Sequence, residues 1–374
     1  MRIPEFKLER YFAKWEFQAP YLLCSSDIEG WRMSDLLALA DADARERWER
    51  LSLGYTESTG LPVLREELAG LYPGVDAGQV LTFAGAQDAI FVLLNVLLGP
   101  GDHAVVTWPG YQSLYEVARA TGAEVSLLRL REDEGWRLDL AAVERMLRPD
   151  TKVVVVNFPH NPTGALPDAE TWRGLFALAE ARGVYVLSDE VYRYLEYDAR
   201  DTLPSAVEVS ARGVSVGVMS KAFGLAGLRV GWLASRDAGL LARCAAFKDY
   251  TSLCNAAPSE VLALVALRAR ERVLARSRAL LADNLARMDD FFARRREHFS
   301  WVRPKAGSVA FPRLLSGESV EKFCQALVAQ EGVLLLPGAV YDFPGNHFRL
   351  GLGRMNLPEA LARLERFCDT FFQR

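Results

Sequence analysis

Between residues 79 and 235 the chain changes its hydrophobic period again and again. Short runs rich in β-branched residues are QVLTF (79–83), HAVVTW (103–108), EVSLLRL (124–130), KVVVVNF (152–158), VYVLS (184–188), VSVGV (214–218) and RVGWLAS (229–235). Between them lie stretches of helical period such as AQDAIFVLLNVLL, YQSLYEVARATG and LAAVERML. KVVVVNF is apolar without alternation, the pattern of a strand buried on both faces. The alternation predicts an α/β fold, a mostly parallel seven-stranded sheet with helices on both faces.

After residue 256 the period stays helical through 297. A smaller α+β segment follows: strand-like SWVRPKAGSVAFP, helix VEKFCQALVAQEG, strands VLLLP and HFRLGLG, and helix LPEALARLERFCDTFF. The opening residues fit neither pattern and predict an arm packed on the C-terminal part. The expected organisation is an arm over 1–45, a large α/β domain over 46–270 and a small α+β domain over 271–374.

Composition narrows the function. Half of the 374 residues are hydrophobic and the net charge is −4, which supports a full core and disfavours nucleic acid as a partner. Five cysteines form no CxxC pair, and four histidines show no metal-ligand spacing, so neither a disulfide framework nor a metal site is expected. The start, MRIPEFKLER, lacks the apolar core of a secretory signal, and AIFVLLNVLL is too short to span a bilayer. A cytoplasmic protein without membrane association is the expectation.

Ligands of open α/β sheets bind at the carboxyl ends of the strands. Past the first strand comes Gly85-Ala86-Gln87, opening a helix whose free N–H groups suit an anion, although a tight strand–helix turn also explains it. Past the second comes Pro109-Gly110-Tyr111, an aromatic able to stack on a ring or to fill the core. Past the fourth comes Asn161-Pro162-Thr163-Gly164, which a turn alone accounts for. Past the fifth, Asp189 precedes Val191-Tyr192; a carboxylate there needs a partner or caps a helix. Past the sixth come Ser220 and Lys221, with Arg229 eight residues on. Lysine is rare, at only seven positions, so Lys221 does not belong to a lysine-rich surface. An anion cradle, an aromatic, an amide, a carboxylate, a phenol, a lysine and an arginine together suit an aldehyde cofactor with a phosphate and an aromatic nitrogen. Pyridoxal 5′-phosphate has those features.

YTESTGLPVLREEL (55–68), GAQDA (85–89), PGY (109–111), NPTG (161–164), DEVY (189–192), SKAFGLAGLRVG (220–231) and FRLG (348–351) stand in one order over most of the chain. The chain resembles the fold-type I pyridoxal-phosphate enzymes, in particular the class I/II aminotransferases. That resemblance implies Lys221 as the Schiff-base lysine and Asp189 as partner of the pyridine nitrogen. It implies Asn161 and Tyr192 as donors to the ring phenolate and Tyr111 as the stacking aromatic. Gly85, Ala86, Gln87, Ser220 and Arg229 would hold the phosphate, and Tyr55 would reach it from a second subunit of a homodimer with shared sites. Arg349 would grip the substrate carboxylate.

Two positions depart from the family. Val218 replaces a phosphate-contacting serine, whose bond is missing or supplied by Thr251 or water. The segment LLCSSDIEG (22–30) is acidic where relatives often carry a glycine-containing loop. It is either a solvated loop with a helix cap or a surface by which Ser26 with Asp27 or Glu29 meets a basic substrate side chain.

The expected activity moves an α-amino group between an L-amino acid and a 2-oxo acid. The N-terminal segment and GVMSKAFGLAGLRVGW also resemble the capreomycidine-synthase-like branch. That implies, as the alternative, an elimination or replacement cyclase or lyase acting on a β-hydroxylated basic amino acid. A ligand-sensing regulator built on the same domain would need a DNA-binding domain, for which too few residues precede Tyr55.

Overall fold

The computed structural model describes residues 2–373. Seven strands form one sheet: β1 (Val80–Phe83), β2 (His103–Trp108), β3 (Glu124–Arg129), β4 (Thr151–Asn157), β5 (Tyr185–Asp189), β6 (Gly213–Val218) and β7 (Gly231–Ser235). Each matches its sequence run within two residues. Their order is β1-β7-β6-β5-β4-β2-β3. Strands β2 to β6 are parallel, whereas β7 runs antiparallel to β6 and β1.

Successive side chains of a strand point to opposite faces, and β4 shows why its run has no polar alternation. Val153 and Val155 pack with Ile90, Leu93 and Leu114 of the helices Ala86–Leu97 and Gln112–Ala120. Val154 and Val156 pack on the other face with Val143, Trp172 and Phe176 of the helices Leu140–Met146 and Ala169–Ala181. Both faces are covered, so both must be apolar.

The C-terminal part differs from the expected elements in three places. The helical stretch is two helices, Ala257–Arg268 and Arg270–Arg294, meeting at Ala269. The first is buried on every side from Glu260 to Leu267, while the second buries a stripe from Val273 to Phe292; Ala269 between them leaves helical geometry, with φ −93° and ψ 16°. SWVRPKAGSVAFP is strand only at Ser300, the end of Phe299–Ser300, and at Val309–Ala310, because Pro304 lacks a ladder donor and Gly307 adopts a φ of +82°. VLLLP shrinks to Leu336–Pro337 because the preceding backbone is taken by the N-terminal segment: Leu334 N–H donates to the Tyr21 carbonyl and Tyr21 N–H to that of Gly332.

The N-terminal residues are knitted to that same part. Gly351 N–H donates to the Leu23 carbonyl at 3.1 Å and Glu29 N–H to that of Gly353 at 2.7 Å. The helix Lys7–Trp15 buries Leu8 and Phe12 in one cluster with Tyr341 and Leu336. Gln112, opening a helix of the large sheet, accepts the Lys7 N–H at 2.9 Å. The helix therefore bridges the two parts of the molecule above the strand ends.

Candidate active site

A cavity of about 300 Å³ opens where β4, β5 and β6 end, roofed by the helix Lys7–Trp15. Its floor follows from strand register. Asn157, the last residue of β4, lies opposite Asp189, the last of β5, and Asp189 lies opposite Val216 of β6. Chain order thus delivers an amide, a carboxylate and, three residues past β6, Lys221 to one spot.

Asp189 is buried, and among the described residues only the Val191 N–H, at 3.3 Å, donates to its carboxylate. Burial pushes its carboxyl up to about 7, against the pull of Lys221. Lys221 Nζ donates to Ser26 Oγ at 2.9 Å and lies 5.9 Å from the centre of the Tyr192 ring. Burial, aided by the Arg349 charge and opposed by Asp27 and Asp189, draws its ammonium down to about 8. Tyr192 is 1% exposed, and burial raises its phenol.

One wall of the cavity is an anion cradle. Ala86 and Gln87 begin the helix Ala86–Leu97, whose first N–H groups have no intrahelical acceptor. Arg229 Nη1 donates to Ser220 Oγ at 3.4 Å beside it. Two glycines make the approach possible. Gly85 has φ +98°, and a Cβ there would sit 2.6 Å from Arg229 Nη2. A Cβ on Gly231 would sit 2.5 Å from the Gly85 carbonyl carbon. Val218 lines the cavity as an apolar surface, and Thr251 does not replace the missing hydroxyl, since it bonds to Asp88 at 3.3 Å and to the Lys248 carbonyl.

The opposite end is cationic. Arg349 is 1% exposed. Its Nε donates to the Cys24 carbonyl at 2.9 Å, and its Nη1 to Tyr341 Oη at 2.7 Å and Asn161 Oδ1 at 3.4 Å. Tyr341 Oη in turn donates to Asn161 Oδ1 at 3.1 Å. Arg349 Nη2 is buried in the cavity wall without an acceptor. An unpaired guanidinium N–H at such a position fits an incoming carboxylate.

Most of the expected site residues meet in this one cavity, Tyr111 and Asp27 included. Tyr55 does not: it lies on the surface, 91% exposed. Glu29 does not face the cavity either, because its carboxylate accepts the Met355 N–H at 3.2 Å, the cap-like alternative for that residue. Asp27 lines the cavity while pairing with Arg354 at 3.0 and 3.1 Å. Sequence reasoning missed Asn157, Tyr341 and the cavity-facing residues of the first helix. For that helix a signal existed, the i, i+4, i+7 stripe of Leu8, Phe12 and Trp15.

The residues fit pyridoxal phosphate. The Gly85–Arg229 cradle suits its phosphate, Asp189 needs a cationic partner such as a pyridinium, and Lys221 is an amine drawn towards neutrality. Residues 22–365 match the family described as aminotransferase class I and II, and the chain belongs to it. The chain is 30% identical over 372 residues to a capreomycidine synthase of Streptomyces vinaceus, covering 98% of this chain and 95% of that one. It is 31% identical over 326 residues to the arginine–pyruvate transaminase AruH of Pseudomonas aeruginosa, covering 83% of this chain and 81% of that one. A crystal structure of a PLP-dependent aminotransferase from Streptococcus suis superimposes with a TM-score of 0.93 at 32% identity over 99% of both chains. The protein is thus a fold-type I enzyme of the aminotransferase family, and its cofactor is pyridoxal 5′-phosphate.

Proposed function

We propose that Lys221, Asp189 and Tyr192 catalyse amino transfer from an L-amino acid to a 2-oxo acid in this cavity. Pyridoxal phosphate supplies the electron sink that makes a proton at the substrate Cα removable. Lys221 would hold the cofactor at rest through its aldehyde carbon, with loss of water. Drawn down to about 8, its Nζ has a neutral fraction near pH 7 that would take the proton from the substrate Cα and deliver it to the cofactor's aldehyde carbon, so that the nitrogen would stay with the cofactor and water would release the 2-oxo acid. Asp189 would hold a proton on the pyridine nitrogen, and Asn161 and Tyr192 would hold the ring oxygen. Gly85, Ala86, Gln87, Ser220 and Arg229 would bind the phosphate, and Tyr111 would stack on the ring. The observation that carries the reading is Arg349 Nη2, a buried donor without acceptor in the same cavity as a depressed lysine. It suits an α-carboxylate beside the amine that must reach Cα.

The exposure of Tyr55 supports a homodimer in which it contacts the partner's phosphate site. The five cysteines, all unpaired, support a cytoplasmic setting; no helix among the described residues is long and apolar enough to cross a membrane. We keep the division into 1–45, 46–270 and 271–374, with the helix Arg270–Arg294 leading into the small domain. The test is the visible spectrum of the holoenzyme. A band that bleaches with an amino acid and returns with a 2-oxo acid supports transfer; a band untouched by every amino acid refutes it.

Similarity to the capreomycidine synthase along nearly the whole chain, N-terminal segment included, favours a second reading. The enzyme would act as a cyclase or lyase on a β-hydroxylated basic amino acid. The outcomes part once the proton has left Cα: loss of the β-hydroxyl as water gives a dehydrated or cyclised product, whereas transfer gives a 2-oxo acid. Mass spectrometry of the product distinguishes them.

A further inference from the structure

Three carboxylates in the cavity take no part in the steps above. Glu9 and Glu16, from the first helix and its C-terminal cap, and Asp27 line the same space as Lys221 and Arg349. Glu9, Phe12 and Glu16 are spaced three and four apart, so they share one helical face. That face lies over the carboxylate end, since the Arg349 guanidinium carbon is 5.7 Å from the centre of the Phe12 ring. Asp27 is already neutralised by Arg354. Glu9 and Glu16 have no ion pair among the described residues.

An acidic row can simply be a solvated helix face. Two observations speak against that. Glu16 is half-buried and makes no ion pair among the described residues, and burial together with the charges of Asp27 and Glu9 pushes its carboxyl upward against the pull of Arg354 and Lys221. Independently, the Arg349 guanidinium lines this cavity with one donor unpaired among the described residues, a charge that suits a carboxylate-bearing ligand. With a substrate carboxylate on Arg349 and its nitrogen toward Lys221, the side chain is left the wall formed by the first helix and residues 25–27.

We infer that Glu9 and Glu16, backed by the Asp27–Arg354 pair, form a subsite for a cationic substrate side chain, a guanidinium or ammonium at the end of an aliphatic stem. The inference rests on the reading of the cavity as an amino-acid site and names the class of amino acid. The first helix is then both roof and selector. It contributes its apolar stripe to the fold and its acidic stripe to recognition.

Unreactive carboxylates test this by calorimetry on the holoenzyme. Ligands are 4-guanidinobutanoate, hexanoate and glutarate, which end in a cationic, a neutral and an anionic group. The unmodified protein should bind guanidinobutanoate at least about tenfold more tightly than hexanoate, with glutarate weakest. In the Glu9→Gln/Glu16→Gln double variant the guanidinobutanoate-to-hexanoate preference should fall by about tenfold or more. A preference absent in the unmodified protein, or unchanged in the variant, overturns the subsite while leaving amino transfer intact. The ligand series on the unmodified protein decides the matter even where the variant does not fold. Failure of all three ligands to bind, with no amino acid altering the spectrum, would instead bring down the amino-acid reading and the subsite with it.

Discussion

Asp189 carries a cost that the protein should shed when the residue is made neutral. In the cofactor-free protein its carboxyl titrates near 7 instead of its usual 3.8, because it is 4% exposed with one weak backbone donor. At about 1.36 kcal/mol per pH unit that displacement amounts to roughly 4 kcal/mol at full ionisation. Its sign is set by proton counting. Between 3.8 and 7 the folded state binds more protons at this site than the unfolded chain, so stability falls as pH rises through that window. Asp189→Asn keeps the shape and the oxygen that faces the Val191 N–H but cannot ionise. Stripped of cofactor, the variant should exceed the native protein by about 2–4 kcal/mol at pH 8 and lose that advantage towards pH 4. Urea midpoints across this range measure the gap. With pyridoxal phosphate bound the order should reverse, because the pyridinium then supplies the missing counter-charge and the amide cannot hold it. A cofactor-free variant that is less stable at pH 8, or a gap flat with pH, would refute the assignment of Asp189 as a destabilised acid awaiting a cation.

Other residues give sharper functional readouts. Arg349→Gln removes the charge and the unpaired donor, so KM for the amino donor should rise by about a hundredfold or more, in line with 2–5 kcal/mol for one side of a buried charge pair; an unchanged KM would detach Arg349 from the carboxylate. Gly231→Ala places a methyl 2.5 Å from the Gly85 carbonyl carbon. It should weaken cofactor retention on dialysis, with a stability loss of about 1–3 kcal/mol by urea unfolding; full retention would contradict the cradle. If Tyr55 acts across a dimer, mixing refolded Tyr55→Ala and Lys221→Ala subunits should yield activity above that of either variant alone, because each hybrid contains one site with neither change; no gain would remove the shared site.

The sheet was legible because each strand run is short, apolar and bounded by a helical period, and β4 betrayed its double burial through four consecutive valines. The C-terminal part was less so, since its strands shrink where another segment takes their hydrogen bonds. Nothing near VLLLP reveals that Tyr21, more than 300 residues away, pairs with it. The cavity residues that follow directly on strand ends could be expected, because there chain order and spatial order coincide. The first helix showed an apolar stripe but not where it would dock, and Tyr341 gave no signal, because both come to the site through tertiary packing. Tyr341 sits in a single 3₁₀ turn with no periodicity, and its part is visible only from its bonds to Arg349 and Asn161. Glu29 had the same type and neighbourhood as Asp27, yet a backbone N–H of Met355 claims it.

The central claim is that Lys221 is the residue on which the cofactor resides. Borohydride reduction of the holoenzyme fixes the cofactor to its lysine, and peptide mass spectrometry reads which of the seven lysines carries it. Attachment at Lys221 is the predicted result. Attachment at Lys248, which is also buried but donates to the Ser58 carbonyl outside the cavity, or at no lysine, would contradict it.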